Sequence, residues 1–152
     1  MTVVIHADGG STKCAETPTL PSMSLFIGSI VIQVADVQRA TDFWKAALGY
    51  AVREEDEDDE FYDEDELDFQ VLTDPERRWA NISLQLQAEP KEGRNRLHLD
   101  LYSDDQEAEV TRLEELGAVQ LAWDYDPDDD FIVMADPDGN EFCVIASEYM
   151  QE

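Results

Sequence analysis

From Leu25 onward, short apolar runs alternate with amphipathic stretches, and the alternation predicts the elements. Residues 27–34 form an apolar run leading into Asp36, whose carboxylate can cap the first amides of a helix. Ala40, Phe43, Trp44, Ala47 and Leu48 then recur at helical spacing on one face, and Gly49 supplies the left-handed residue that ends the helix. The same order returns later. A strand-like stretch at 96–103 leads to Asp104, a charged helix turns Val110, Leu113 and Leu116 inward, and Gly117 follows. A shift of 68 residues lays Asp36 on Asp104, Ala40 on Ala108, Leu48 on Leu116 and Gly49 on Gly117, which marks an internal duplication.

Each half continues with three further strand candidates: 50–54, 67–72 and 81–87 in the first, 118–122, 131–135 and 141–146 in the second. The predicted module is therefore βαβββ, used twice, with Asp136-Pro137-Asp138-Gly139-Asn140 carrying the residues of a tight hairpin. Module one is expected over 25–88, a polar linker over 89–94 and module two over 95–148. Residues 1–24 read as a flexible tail in which Met23 is a candidate natural start, and 149–152 as a C-terminal tail.

Within the strands, side chains alternate between faces. Leu97, Leu99 and Leu101 oppose His98, Asp100 and Tyr102; Ile82, Leu84 and Leu86 oppose Ser83, Gln85 and Gln87. Ile30, Ile32 and Val34 oppose Ser29, Val31 and Gln33, and Phe142 and Val144 oppose Glu141, Cys143 and Ile145. With helices over the apolar faces, the opposite faces present Ser29, Gln33, Gln85, His98, Asp100, Tyr102, Glu141 and Cys143. The bland alternative is a merely wet sheet face. Lys and Arg are absent from these positions, and His, Tyr, Cys and amides are residues that interiors hold with partners, so a lined cavity is the expectation.

Composition narrows the function. The 152 residues suffice for one domain or two half-sized modules sharing a core, and 37 acidic against 10 basic side chains leave a net charge of −27. Such a field repels phosphate backbones and anionic headgroups, which argues against nucleic-acid and membrane partners. No apolar run approaches the ~20 residues of a spanning helix and no export signal is visible at the start, so a cytoplasmic, soluble protein is expected. Cys14 and Cys143 are isolated, without CxxC spacing, so neither a disulfide framework nor a zinc knuckle is expected. Twelve of the fifteen residues at 54–68 are acidic. That excess reads either as adaptation to a salty interior or as one solvated loop. Neither this run nor 124–130 has the glycine and distal glutamate of a helix-loop-helix calcium site. His6 falls in the tail, Trp44 reads as core, and Trp79 and Trp123 stand near strand ends, where aromatics either rim a cavity or cover an edge. Arg94 and Arg96 could draw an anionic ligand, but among so many carboxylates surface pairing is the simpler account.

The segments 30–36, Phe43-Trp44, Leu48-Gly49, 95–101 (NRLHLDL) and 136–142 (DPDGNEF), taken with the duplicated module, resemble the vicinal oxygen chelate superfamily. That superfamily includes glyoxalase I, bleomycin-resistance proteins and extradiol dioxygenases, and the likeness covers roughly 25–148. The resemblance implies an α+β fold in which two βαβββ modules form a curved mixed sheet around a cavity, with helices on the outer face. It also implies metal-ligand positions at Ser29, Gln85, His98 and Cys143, of which only His98 is a strong ligand in its usual form.

No cofactor is therefore favoured. A divalent ion such as zinc or nickel, held by His98, Gln85 and Cys143 with help from Asp100 or Glu141, is the minor expectation. The carboxylate base of the glyoxalase I reaction is missing where the family keeps it. The resulting expectation is a small-molecule-binding protein without the standard metal centre, with a ligand site of Ser29, Gln33, Gln85, His98, Tyr102 and Cys143. The alternatives are a lyase-, isomerase-, hydrolase- or dioxygenase-like enzyme using His98, Cys143, Asp100 and Glu141, and an acidic protein-interaction module acting through the 54–68 run. An imidazole facing Cys143 could lower the thiol pKa, but a small buried cysteine beside a hydrogen-bonded core histidine is the commoner arrangement. A homodimer is among the assemblies the resemblance implies.

Overall fold

A computed structural model describes residues 25–53 and 67–147. The expectations for the two tails, Met23, His6 and Cys14, and for nearly all of the acidic run, lie outside the described residues.

Strand β1 (Ser29–Val34) feeds helix α1 (Val37–Leu48), followed by β2 (Ala51–Val52), β3 (Phe69–Thr73) and β4 (Asn81–Leu86). The second half repeats the order with β5 (Leu99–Ser103), α2 (Gln106–Glu115), β6 (Val119–Gln120), β7 (Phe131–Ala135) and β8 (Glu141–Ala146). Each module is a four-stranded mixed sheet, ordered β1-β4-β3-β2 and β5-β8-β7-β6. In both, the first strand runs parallel to the last and the remaining pairs are antiparallel. The identical strand order is the structural form of the duplication. Ala51 and Val119 begin equivalent strands 68 residues apart, but Phe69 and Phe131 are only 62 apart, because the acidic run lengthens the first module between β2 and β3.

Local chemistry explains the helix ends. Asp36 accepts the Arg39 amide at 2.9 Å, and Gly49 adopts φ 68°, the left-handed conformation that costs a glycine least. In the second module the cap is Asp105, which accepts the Ala108 amide at 3.1 Å, rather than the expected Asp104. One residue separates strand end from cap in both modules, Ala35 after Val34 and Asp104 after Ser103, so the register here is 69. Helix α2 is correspondingly shorter, ten residues against twelve, and the two registers rejoin at Gly117 with φ 106°. The expected strand from 96 also starts late, at Leu99, which leaves Leu97 73% exposed instead of turned toward the helix.

The helices cover one face of the sheets. Val37, Ala40, Phe43 and Trp44 of α1, Leu72, Ile82 and Leu84 of the first sheet, and Leu113, Met134, Phe142 and Val144 of the second module share one core. Trp44, placed in the core from sequence, meets Phe43 edge-on at 5.1 Å and Phe142 at 5.5 Å, pairs worth about 0.5–1.5 kcal/mol each beyond the area they bury. The core is thus continuous across the duplication. The DPDGN turn does more than reverse the chain. Asp136 accepts the Asp138 and Asn140 amides on one oxygen and Trp44 Nε1–H and the Asn140 side chain on the other, at 2.8–3.1 Å. Asp138 reaches into the first module and accepts the Ala35 amide at 2.8 Å and the Arg39 guanidinium at 2.7 Å. Arg112 of α2 answers by donating to the Ala46 and Ala47 carbonyls at the end of α1, at 3.0 and 2.9 Å.

Candidate functional site

Opposite the helices, the face of the second sheet gathers the singled-out residues. Asp100 on β5 is the register partner of Cys143 on β8, which in turn pairs with Val133 on β7, so these three side chains form one row. His98 immediately precedes β5 and shares the parity of Asp100, so it returns to the same face. Its Nδ1 stands 3.0 Å from Asp100 Oδ1 and 4.0 Å from Cys143 Sγ, with the side chain 49% exposed. A cavity of about 230 Å³ opens above the row, between His98, Asp100, Cys143 and Glu141 and a wall of Trp123, Phe131, Val133 and Ile145.

Glu141 is held on its own strand: the Asn95 amide donates to its carboxylate at 3.1 Å and the Asn95 side chain to its carbonyl at 3.2 Å. Arg94 lies 3.9 Å from the same carboxylate, the ion pair expected of it, but its guanidinium also stacks 4.2 Å over the Trp123 ring. That stack, and Phe131 and Val133 of the wall, are the parts of the site that sequence reasoning missed; alternation had already placed Ile145 on this face. The alternation of β7, with Phe131 and Val133 against Ile132 and Met134, was the signal for the wall. Nothing local signals the stack, which joins a linker residue to a loop residue nearly thirty positions away.

The other expected residues are distributed differently. Gln33 and Gln85 share a second, open cleft of about 980 Å³ with His98 and Glu141, beside the free edge of β1 and under the linker. Ser29 and Tyr102 line neither space; Tyr102 is exposed. Register supplies the reason for Ser29. Ser29 and Ser83 occupy in module one the positions of His98 and Cys143, and their hydroxyls are hydrogen-bonded to each other at 2.6 Å. Where module two holds an imidazole and a thiol, module one holds a closed serine pair.

Activation of Cys143, the rarer of the two arrangements weighed from sequence, is not what the surroundings produce. Burial, then the charge of Asp100 and its hydrogen bond, then Glu141, push the thiol above its ordinary value. The His98 imidazole already faces a carboxylate, so Cys143 lacks the dedicated cation that would favour a thiolate. Of the four metal positions implied by resemblance, Ser29 is hydrogen-bonded to Ser83 and Gln85 stands exposed on the first sheet. A different trio is assembled: among the described residues, ligand atoms of His98, Asp100 and Cys143 lie within 4.8 Å of one another.

Among the described residues no helix is long and apolar enough to cross a membrane. No curated protein matches the chain. The solved fosfomycin resistance protein FosX from Mesorhizobium loti superposes with a TM-score of 0.59 at 14% identity, over 88% of this chain and 97% of that one. A glyoxalase/bleomycin resistance protein/dioxygenase family enzyme from Burkholderia phytofirmans PsJN gives 0.56 at 16%, over 78% and 95%. A member of the same superfamily from Sphaerobacter thermophilus gives 0.56 at 21%, over 80% and 96%. At these identities the likeness establishes the fold alone. A family model described as a glyoxalase-like domain matches residues 29–145, nearly the whole of both modules, and on that span the chain belongs to the glyoxalase-like family of the vicinal oxygen chelate superfamily.

Proposed function

We propose that this protein binds a small molecule on the open face of its second module and sequesters it, as a bleomycin-resistance-like protein lacking the standard metal centre. One observation carries the reading: a polar floor of His98, Asp100 and Cys143 lies under an apolar wall of Trp123, Phe131 and Ile145 in a cavity of about 230 Å³. Apolar walls supply affinity and the few convergent polar groups fix orientation. A neutral solvatochromic dye, Nile red, tests the cavity. Phe131→Ala and His98→Ala should each weaken dye binding by about tenfold, roughly 1.4 kcal/mol, whereas Trp79→Ala, on a remote exposed surface, should not. Dye binding indifferent to the pocket variants would sink the reading. Competition by bleomycin and by fosfomycin then sorts the ligand class.

The His98–Asp100 pair favours a second reading, a lyase, isomerase or dioxygenase-like enzyme. A carboxylate on Nδ1 orients the ring and leaves Nε2 to take a proton from substrate. Consumption of fosfomycin or of a methylglyoxal–thiol adduct by the native chain, and not by His98→Asn, would support it; equal rates in the two would dispose of it. We further read the protein as a cytoplasmic homodimer. The open sheet faces and their surroundings expose Val31, Phe69, Leu97 and Tyr102, side chains that a second copy would cover. Light scattering reporting a monomer at micromolar concentration would refute the assembly.

A further inference from the structure

The trio on the second sheet has the chemistry of a metal site and differs from the one the resemblance implies. Three elements of geometry bear on it. Asp100 and Cys143 are paired across parallel strands, so both side chains leave the sheet side by side, and His98 enters the same space from the residue before the strand. Their donor atoms, an imidazole nitrogen, a carboxylate oxygen and a sulfur, are 3.0 Å (N to O) and 4.0 Å (N to S) apart, all within 4.8 Å. Around a tetrahedral zinc ion with bonds of about 2.0–2.3 Å, such atoms sit roughly 3.3–3.7 Å from one another. Small side-chain rotations on fixed strands therefore bring all three to an ion at their centre.

Charge and softness select the ion. Asp100 and the adjacent Glu141 are both carboxylates, and Arg94 is engaged by Glu141 and Trp123, so the cavity attracts a cation. Sulfur and imidazole donors suit zinc and not calcium or magnesium, which take oxygen. Module one contributes nothing: its equivalent positions are the hydrogen-bonded Ser29 and Ser83. We propose that His98, Asp100 and Cys143 form a three-ligand zinc site contained within the second module, its fourth position open to the Trp123–Phe131 cavity. Three protein ligands and one open position are the pattern of a zinc ion that can receive a ligand oxygen or water. The site shares its pocket with the small-molecule reading but does not require that any organic ligand bind.

The test uses the full-length, chelator-treated protein in a Cys14→Ser background, with millimolar magnesium present to occupy surface carboxylates. Zinc titrated calorimetrically should bind at one equivalent. Cobalt(II) should give a near-ultraviolet sulfur-to-metal charge-transfer band with intense visible bands of tetrahedral type. Cys143→Ser should abolish the charge-transfer band, and Asp100→Asn and the half-exposed His98→Gln should each weaken zinc binding by at least about tenfold. Gln85→Ala and Ser29→Ala should leave both signals unchanged. Absence of a charge-transfer band, its survival in Cys143→Ser, or loss of binding in Gln85→Ala would overturn the assignment. Should Cys143→Ser fail to fold, the His98→Gln and Gln85→Ala pair still decides it. Nile red binding measured on the same metal-free samples keeps the two proposals separable, since loss of one signal with retention of the other rejects only one of them.

Discussion

Asp136 accepts the Trp44 indole across the modules and shapes the turn from which Asp138 and Asn140 reach the first module, and its carboxyl is buried. Burial raises its pKa above the ordinary carboxylate range, against the donors from Asn140, Trp44 and Asp138, which favour the charged form but do not outweigh desolvation. The sign for stability follows directly. A carboxyl that holds its proton more tightly folded than unfolded stabilises the fold fully below its unfolded pKa, and that contribution is lost as pH rises through the folded value. Asp136→Asn cannot titrate. Urea midpoints compared between about pH 4 and pH 7 should therefore show the native chain losing ground to Asp136→Asn as pH rises, and a gap independent of pH would contradict this. Site chemistry was only partly legible at this scale. His98, Asp100 and Cys143 were visible because strand alternation sorts side chains by parity. The raised thiol was not, because it depends on how deeply Cys143 sits and on which carboxylate faces it.

Helix ends and strand parity were the legible features at the level of elements, since both are encoded within a few residues. Gly49 and Gly117 ended their helices as expected. The cap of α2 was misplaced by one, because Asp104 and Asp105 are chemically equivalent and only the Asp105 amide donating to Ser103 Oγ at 3.0 Å, with its own carboxylate capping Ala108, distinguishes them. Contacts between elements were not legible. Arg112 makes an i,i+3 ion pair with Glu109 at 2.6 Å, yet the same guanidinium closes the carbonyl end of α1. Two charge-assisted hydrogen bonds at a helix C-terminus, half exposed, are together worth about 1 kcal/mol. Arg112→Ala should accordingly lower the thermal midpoint by about 4 °C. Arg112→Lys, unable to span both carbonyls, should recover less than half of that. No change in Arg112→Ala would mean that the contact carries no net energy.

For the whole molecule the dominating quantity is the charge of −27. Raising salt from about 10 mM to 1 M shortens the screening length from about 30 Å to 3 Å and removes most of the self-repulsion between surface carboxylates. The thermal midpoint should rise by about 4 °C or more over that range, equivalent to roughly 1 kcal/mol or more. The two explanations of the acidity then separate. If the twelve carboxylates at 54–68 dominate the repulsion, deleting that run should flatten the salt response; if the charge spread over the rest of the surface dominates, the response should persist. A midpoint that falls with salt would reject both. Architecture was the most legible feature of all, because a duplicated order of elements constrains topology more tightly than any single strand does.

Asp138 grips the first module at Ala35 and Arg39, Asn140 donates to the Gln33 carbonyl at 3.1 Å, and Arg112 returns the grip from the other side. With a shared core beneath these clasps, the covalent joint at 89–94 is nearly superfluous for cohesion. Cut there, the chain would remain one particle. Made as two separate polypeptides, the fragments would recognise and complement one another, the first as a receptacle and the second bringing its own key.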